Sequence, residues 1–465
     1  MMLDCVIKDA TLVVPAAGLQ RADIGIQHGK IAAIQDHLVG RETISAKGML
    51  VIPGGVDPHV HLEMPAGKLI TSDTWETGSR AAAFGGTTTV IDFVEPTFPG
   101  QALLASFAER KKQAMGSSVV DFGFHMTLCM ADESTLQQIP GVIAAGVPSF
   151  KLYTTYAGFR LDDASLLLAL EAIGAAGGLA LVHAESDAII QHATQRLQAA
   201  GRLAVRDFPD SRPAMAEVEA IERVLSLAKY TGTPVYIVHV STQGGAAAVA
   251  RARQSGQQSW GETCPQYLLL DKSRIQGADS RDSAHSMDGA KFVCCPPLRE
   301  QADQQAIWSS LHSGELQTIG SDHCAFNDHG QKDAGRASFL DIPSGLPGIE
   351  LRLALTHTYG VLQGRITLPQ WVELCCTSPA KIFGLHPQKG ELAVGADADI
   401  VLFDPARKAI VTQAMLHENV DYSPYEGLAL TGMVDTTLLR GNVLVRNGAW
   451  AGQSGTGKFV MGSRN

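Results

Sequence analysis

The feature that most constrains the fold is a regular alternation through the middle of the chain. Short β-rich apolar runs alternate there with Ala/Leu-rich stretches of helical periodicity. Repeated strand–helix units imply a parallel sheet with right-handed crossovers, and eight units predict an α/β (β/α)8 TIM-like barrel whose active site lies at the carboxyl ends of the strands. The predicted strands are 50–61, 87–93, 119–128, 149–154, 179–184, 234–240, 258–264 and 316–321, with helices at 102–114, 136–145, 163–176, 214–229, 244–254 and 300–312.

The two ends of the chain have a different pattern. Residues 2–50 and 389–448 contain short alternating strands that are separated by turn residues. We predict that both ends fold together as one small β-sandwich domain, into which the barrel is inserted. The predicted division is 1–50 (first part of the sandwich), 51–388 (barrel), 389–450 (second part) and 451–465, a Gly/Ser-rich arm that could extend onto another subunit.

Composition narrows the classes of partner. The chain has 465 residues, of which 45% are hydrophobic and 18% charged, a profile typical of a globular protein. The formal net charge of −10 disfavours binding to nucleic acid or an anionic membrane and favours a small-molecule or protein partner. The start of the chain lacks the pattern of a signal peptide, and the eight cysteines form no CxxC pair, so we expect reduced thiols in the cytoplasm.

Histidines follow several of the predicted strands. His59 and His61 are two residues apart and therefore share one face of a strand. His183 and His239 each end a strand, and Asp322 follows the last one. A single histidine in such a position is more often a packing residue, and we interpret His125, His192, His285, His312, His357 and His417 in that way. The joint pattern of four histidines and an aspartate at one rim instead predicts a metal site.

These five ligands exceed the needs of one catalytic zinc, so a second metal and a bridging group are expected. Lys151 lies inside a predicted barrel strand, where an unpaired ammonium is costly. Desolvation would lower its pKa, and the free amine could add CO2 to form a carbamate whose two oxygens bridge the metals. The alternative is a buried lysine paired with an acid.

The ordered set of these residues resembles the cyclic amidohydrolases, and within them the hydantoinase/dihydropyrimidinase family. The resemblance covers nearly the whole chain. The matching motifs are HVH at 59–61, PGGVD at 53–57, GGTTT at 85–89, FKLY at 150–153, ETCPQYL at 262–268, PPLR at 296–299, GLPG at 345–348, and KG at 389–390 followed by GADAD at 395–399.

That resemblance implies a binuclear zinc hydrolase that opens the cyclic amide bond of hydantoins or dihydropyrimidines. By analogy, His59 and His61 hold one Zn²⁺ with Asp322, while His183 and His239 hold the other. N6-carboxylysine at Lys151 and a hydroxide bridge the two metals, and the hydroxide attacks the substrate carbonyl. Asp322 would transfer the proton to the leaving nitrogen. The family also implies a homotetramer or homodimer.

Tyr156 matches the family tyrosine that donates to the developing oxyanion, with a rim aromatic as the alternative. Two other positions depart from the family pattern: Cys295 stands where a serine usually precedes PPLR, and Ser344 where an asparagine usually precedes GLPG. If only main-chain groups contact the substrate there, both changes are tolerable; if side chains do, they indicate a different ring.

Leu62 and Glu63 complete the candidate substrate-binding residues. Dihydroorotases carry an arginine where this chain has Glu63, and an acid would repel the carboxylate of dihydroorotate. Ala66 replaces a bulky family aromatic and would admit a larger ring substituent. An apolar pocket wall or ordinary core packing remain equal alternatives for Leu62, Phe93, Tyr153 and Phe159.

Three functions therefore remain open. The first is a hydantoinase, phenylhydantoinase or dihydropyrimidinase. The second is an allantoinase-like enzyme or another cyclic-amide hydrolase. The third is a non-catalytic assembly protein like the dihydropyrimidinase-related proteins, which have lost metal ligands, whereas this chain keeps all six.

Overall fold

A computed structural model describes residues 2–96, 100–277 and 287–464 of the chain, so His285 lies outside the described residues. Eight parallel strands follow one another in chain order around one sheet. The ring closes where Val60 bridges His323 and the N–H of His61 donates to the His323 carbonyl at 2.8 Å. The predicted TIM-like barrel is therefore confirmed. Its strands are Gly55–Val60, Thr87–Val94, Asp121–Thr127, Ser149–Tyr153, Leu179–His183, Val235–Ile237, Ser259–Thr263 and Thr318–Ile319.

Helices connect the strands and cover the outside of the barrel. Most of the longer ones follow the predicted helical stretches, and two, over Trp75–Phe84 and Asp187–Ala199, were not predicted. The helices of ten or more residues are Trp75–Phe84, Leu103–Ala114, Asp163–Ala175, Asp187–Ala199, Ala214–Thr231, Gln243–Gln254 and Gln301–Ser313. The shorter ones are Glu133–Leu136, Ile139–Ala144, Phe208–Ser211, Pro265–Leu269, Ser273–Gln276, Arg352–Thr356, Leu368–Val372 and Ser378–Ile382, with π-helical turns at His357–Val361 and Glu373–Thr377.

The first predicted strand, 50–61, is two strands in two different sheets. Leu50–Pro53 pairs antiparallel with Ile400–Ile410, whereas Gly55–Val60 pairs parallel with Thr87–Val94. Gly54 lies at the crossing, where an added Cβ would come within 2.0 Å of the Thr88 hydroxyl oxygen. A continuous apolar run gives no local signal of such a change, because both strands are fully buried.

The chain ends form one separate mixed sheet, as predicted for their common domain. The sheet has nine strands, and both parts contribute to a shared apolar cluster that includes Ile7 and Ile24 from the first part and Ile400 and Leu438 from the second. The exact domain boundaries remain a prediction. The strands are Leu3–Val14, Gly18–Gln27, Lys30–Gln35, Gly40–Ser45, Leu50–Pro53, Ile400–Ile410, Ala429–Leu439, Asn442–Arg446 and Ala449–Trp450, and a two-stranded ribbon pairs Pro65–Ala66 with Leu69–Ile70.

A buried ion cluster ties the two sheets together. The ammonium of Lys389, 1% exposed, lies 2.5 Å from Asp121 of the third barrel strand, 2.9 Å from Asp397 and 2.7 Å from Asp399. Three carboxylates around one cation hold the pKa of Lys389 above its ordinary value despite burial. The cluster is therefore fully paired and structural.

The C-terminal segment packs on the barrel of its own chain. The N–H of Phe122 donates to the Lys458 carbonyl at 2.9 Å, and that of Val460 to the Phe122 carbonyl at 2.8 Å. The Phe459 ring lies 5.4 Å from that of Phe107, between ring centres. Because Phe122 begins the third strand, the segment covers the end of the barrel opposite the expected active site. In the described ranges no helix has both the length and the apolar character needed to cross a bilayer.

Candidate metal centre and substrate cavity

Six predicted ligands converge at the carboxyl ends of the strands. The side chains of His59 and His61 point together because strand residues alternate between faces. The others come from four further strands or the residues directly after them. A cavity of about 390 Å³, within the usual range for small-molecule sites, brings them together. The ligands that line it are His59, His61, Lys151, His183, His239 and Asp322.

Three of them form a first group. The ligand atoms of His59, His61 and Asp322 all lie within 4.8 Å of one another. Nε2 of His59 is 3.2 Å and Nε2 of His61 is 3.6 Å from the same Asp322 oxygen, Oδ1. Burial raises the pKa of Asp322, but the two imidazoles outweigh it and hold that pKa below the ordinary value. An ionised carboxylate and two imidazoles are thus directed at one point.

The second group is formed by His183 and His239. Nδ1 of His183 lies 2.9 Å from Nε2 of His239. The ring centres of His239 and His59 are 5.4 Å apart, so the two groups are neighbours in one site. Burial lowers the pKa of His59, His183 and His239, which favours the neutral imidazole that a metal requires.

Two buried glutamates, not singled out from the sequence, orient these rings. Glu262 accepts from Nδ1 of His59 at 2.7 Å, and Glu185 accepts from Nε2 of His183 at 2.8 Å. Each bond fixes the proton on the ring nitrogen that donates to the glutamate and leaves the other ring nitrogen free to act as a ligand. Glu262 lies in the strand Ser259–Thr263 and begins the ETCPQYL motif, so this motif could have identified it from the sequence.

Lys151 lines the same cavity as the two groups. Its side chain is 1% exposed, and no ion pair within the described parts of the chain includes it. Nζ lies 4.9 Å from the ring centre of Phe93 and 5.2 Å from that of Tyr153. Burial lowers the pKa of Lys151, which favours the neutral amine. The alternative of a direct pair with an acid is not observed.

The donor set fits a zinc site. Its atoms are imidazole nitrogens and a carboxylate oxygen, with a lysine whose amine is available. Nδ1 of His61 and Nδ1 of His239 are buried without a hydrogen-bond partner among the described residues, so these rings are held by packing and by whatever their Nε2 atoms bind.

Backbone strain coincides with the site. His239, Asp322 and Tyr156 have φ of 41°, 50° and 77°, a left-handed conformation that residues other than glycine rarely adopt. Such strain is maintained only where surrounding structure imposes it, and it is common at functional sites.

The predicted oxyanion donor Tyr156 also lines the cavity. Its ring centre lies 5.0 Å from that of His183, and the Arg212 guanidinium lies 5.1 Å from the Tyr156 ring centre. Arg212 in turn pairs with Glu185 at 2.5 Å. The phenol is therefore placed beside the second ligand group and braced by the glutamate that orients that group.

Cys295 and Ser344 line the cavity as well, on two separate loops. A buried lysine not identified from the sequence, Lys332, joins these loops. Its Nζ donates to the carbonyls of Val293 at 3.1 Å and Pro343 at 3.0 Å. Both family departures therefore border the space that a bound ring would occupy.

Leu62 and Glu63 are not brought into this cavity. Leu62 is fully buried, and its N–H donates to Asp92 at 2.8 Å. Glu63 turns away with φ of 50°, and its carboxylate accepts from the N–H of Trp75 at 3.4 Å. The chain bends directly after His61, so the alternation of the strand does not extend to these residues. Glu63 therefore does not line the cavity in which it was expected to repel the carboxylate of dihydroorotate.

The remaining residues singled out from the sequence either line the cavity or pack around it. Ala66, Tyr153 and Phe159 line the cavity, whereas Phe93 packs beneath His61 with ring centres 4.7 Å apart. His125 contacts the Ser149 hydroxyl and the Pro58 carbonyl at 2.6 and 2.9 Å, and burial lowers its pKa to about 3. Its interpretation as a packing residue agrees with the structure.

Comparison with known proteins agrees with this geometry. Residues 50–444 match the model of the amidohydrolase family. A D-hydantoinase of Geobacillus stearothermophilus is 42% identical over 98% of this chain and 95% of its own length. Among solved structures, D-hydantoinase from Bacillus sp. AR9 has a TM-score of 0.95 at 41% identity, covering 99% of both chains.

Dihydropyrimidinase from Brevibacillus agri NCHU1002 also has a TM-score of 0.95, at 40% identity, covering 99% of this chain and 98% of the other. Full-length similarity at this level, together with a cavity that gathers all six expected ligands, leads to one conclusion. The chain belongs to the amidohydrolase family, in its hydantoinase/dihydropyrimidinase group.

Proposed function

We propose that this protein is a binuclear zinc hydrolase that opens the cyclic amide bond of hydantoins or dihydropyrimidines. The observation that carries the proposal is that both groups of predicted ligands and Lys151 line a single cavity. The similarity to a D-hydantoinase and to a dihydropyrimidinase supports the reaction type.

In this proposal His59, His61 and Asp322 would hold one Zn²⁺, His183 and His239 would hold the other, and a carboxylated Lys151 would be shared by the two. When bound, two such metals activate water near neutral pH and polarise the substrate carbonyl. Burial supports carboxylation, because it favours the neutral amine of Lys151 over the ammonium.

The protein's own side chains then move the protons. Asp322 accepts the proton of the attacking water on a carboxylate oxygen and delivers it to the ring nitrogen that leaves. The Tyr156 hydroxyl donates to the oxygen of the carbonyl under attack, where negative charge develops. Glu262 and Glu185 hold the imidazoles in place, so little reorganisation is needed.

Which substrate ring is opened depends on other observations. Relatives named for hydantoin and for dihydropyrimidine are similar to this chain at 42% and 40% identity, so identity does not choose between the two rings. Because Cys295 and Ser344 line the cavity, an allantoinase-like activity or another cyclic amide is the second candidate. A non-catalytic assembly role is opposed by the complete ligand set.

Ring-opening assays on zinc-loaded protein test the proposal. The panel is hydantoin, phenylhydantoin, dihydrouracil, allantoin and dihydroorotate, with zinc content measured on the same sample. We expect two zinc ions per chain and turnover of hydantoin or dihydrouracil. If the fully loaded protein opens none of the rings, the proposal is overturned; if it opens allantoin alone, the second candidate replaces it.

The bridging role of Lys151 has a separate test. We expect Lys151→Ala to lose metal and activity, with partial recovery when a short carboxylic acid such as acetate is supplied. Lys229→Ala, which removes an exposed lysine from the helix Ala214–Thr231, is the matched control. Full metal content and activity in Lys151→Ala without added acid would exclude the bridge.

We propose further that the protein assembles as a homotetramer or homodimer in the cytoplasm, as the family resemblance implies. All eight cysteines are free thiols, which supports a reducing compartment. Light scattering in solution would establish the number of subunits.

A further inference from the structure

One acidic side chain in the cavity has no part in the proposed chemistry. Glu95 directly follows the second barrel strand, Thr87–Val94, and lines the same cavity as the predicted ligands. Phe93, two residues earlier on the same face, lies beneath His61. The strand therefore directs Glu95 toward the mouth of the site, above the level of the ligands.

The carboxylate of Glu95 has little compensation from the protein. The Tyr153 hydroxyl donates to it at 3.5 Å, the outer limit for a hydrogen bond. Within the described ranges, no ion pair joins Glu95 to a lysine or an arginine. A half-buried carboxylate is stabilised by a cation, and here the side open to the cavity is where one could enter.

An arginine close to Glu95 is hydrogen-bonded to other groups. Arg110 lines the small cleft next to the cavity, as Glu95 does. Its guanidinium donates to Asp92 at 2.7 Å and to Gln113 at 2.9 Å, and also to the carbonyl of Leu62. Arg110 therefore anchors the chain after the first barrel strand, and these hydrogen bonds go to groups other than Glu95.

Lys151 does not fill this role in the loaded protein. As an ammonium it would attract Glu95 through the cavity, but as a carbamate it carries negative charge. On the proposed function, then, the described residues that line the cavity with Glu95 include no lysine or arginine other than Lys151.

The surroundings of Glu95 suit an alkyl chain. Met64 and Pro65 share both the cavity and the adjacent cleft with Glu95. On the other side the rings of Tyr153 and Phe159 lie 5.4 Å apart. The small side chain of Ala66 leaves this wall open. An apolar stem with a cationic end, like that of a lysine side chain, matches this arrangement of apolar walls and one acid.

We propose that Glu95 is a specificity-determining residue, which selects cyclic amides whose ring substituent is an alkyl chain ending in an ammonium or guanidinium group. The inference rests on the proposed function, since it names the substrate class of the same site. Cation and carboxylate would pair at the cavity mouth, while the ring lies deeper, against Tyr156 and the ligand groups.

The test uses two hydantoins of nearly equal size, one with an aminobutyl and one with a pentyl substituent, on the zinc-loaded protein. We expect kcat/KM to be higher for the aminobutyl compound. In Glu95→Gln the ratio of the two kcat/KM values should fall by about tenfold. This loss is larger than that of an exposed ion pair and smaller than that of a buried one, because Glu95 is half-buried. Glu109→Gln removes an exposed charge that borders only the adjacent cleft and should keep the ratio.

Binding of the ring-opened products gives a second measurement that does not depend on turnover. N-carbamoyl-lysine and N-carbamoyl-2-aminoheptanoic acid, the products of the aminobutyl and pentyl hydantoins, differ in the same way as the substrates, and calorimetry should show the same change of ratio in Glu95→Gln. An unchanged ratio in both experiments would refute the role of Glu95. If the wild-type protein opens neither these two hydantoins nor any ring of the panel above, the proposed function itself fails, and product binding alone still decides whether Glu95 recognises the cation.

Discussion

Glu262 accepts a 2.7 Å hydrogen bond from Nδ1 of His59, although 203 residues separate the two in the chain. The same carboxylate accepts from the Tyr236 hydroxyl at 2.9 Å and from the N–H of His239 at 3.1 Å. One buried side chain therefore orients His59 from the first ligand group and supports the strand end that carries His239 from the second.

This relationship predicts a metal defect from a residue that is not itself a ligand. In Glu262→Gln the shape is kept, but an amide replaces the carboxyl group, which weakens the acceptor for Nδ1 of His59. We expect zinc affinity to fall by about 10- to 100-fold, measured by competition with a chelator. Glu222→Gln, which removes a surface charge paired with Arg251, should leave the affinity unchanged; equal affinity in the two variants would contradict the orienting role.

Tyr156 is expected to act on the rate and not on the metal. Tyr156→Phe removes one donor to the oxyanion and should reduce kcat by about 100- to 1,000-fold with normal zinc content. Tyr422→Phe is the matched control, because the Tyr422 hydroxyl is buried without a partner among the described residues and lies outside the cavity. A fall of less than about threefold in Tyr156→Phe would leave Tyr156 as a rim aromatic.

Lys332 should make stability depend on pH. Burial lowers its pKa to about 8 in the folded protein, whereas an unfolded chain holds the proton to about 10.5. Between these values the unfolded chain binds more protons, so the free energy of unfolding should rise with pH relative to Lys332→Met.

The expected gain across that window is on the order of 3 kcal/mol, measured as the difference between the two denaturation curves at each pH. Taking the difference removes the contributions of other groups that titrate in the same range. A constant difference from pH 7 to pH 11 would show that Lys332 is not desolvated in solution.

The C-terminal segment should contribute to stability and not to catalysis. Phe459→Ala removes a half-buried ring from a cluster with Phe107, Phe122 and Phe124 and should cost about 1–3 kcal/mol. Calorimetry should show a lower Tm, while zinc content at room temperature is normal. Lys458→Ala keeps the backbone hydrogen bonds of the segment and should keep the Tm; a wild-type Tm in Phe459→Ala would mean that the segment is not docked in solution.

The sequence by itself determined the elements with a local cause. Strand–helix alternation predicted the barrel, and the period of two predicted that His59 and His61 share a face. The rule that active sites lie at strand carboxyl ends then placed His183, His239 and Asp322 at the same rim, and the structure brings these residues together.

Only the tertiary structure decided what depends on distant parts of the chain. It divided 50–61 between two sheets, turned Leu62 and Glu63 away from the cavity, and packed the C-terminal segment on its own barrel. It also supplied Glu262, Glu185 and Lys332, whose partners are set by packing. The physical reason is that periodicity and turn signals act over a few residues, whereas a buried charge takes its partner from whichever element packing brings beside it.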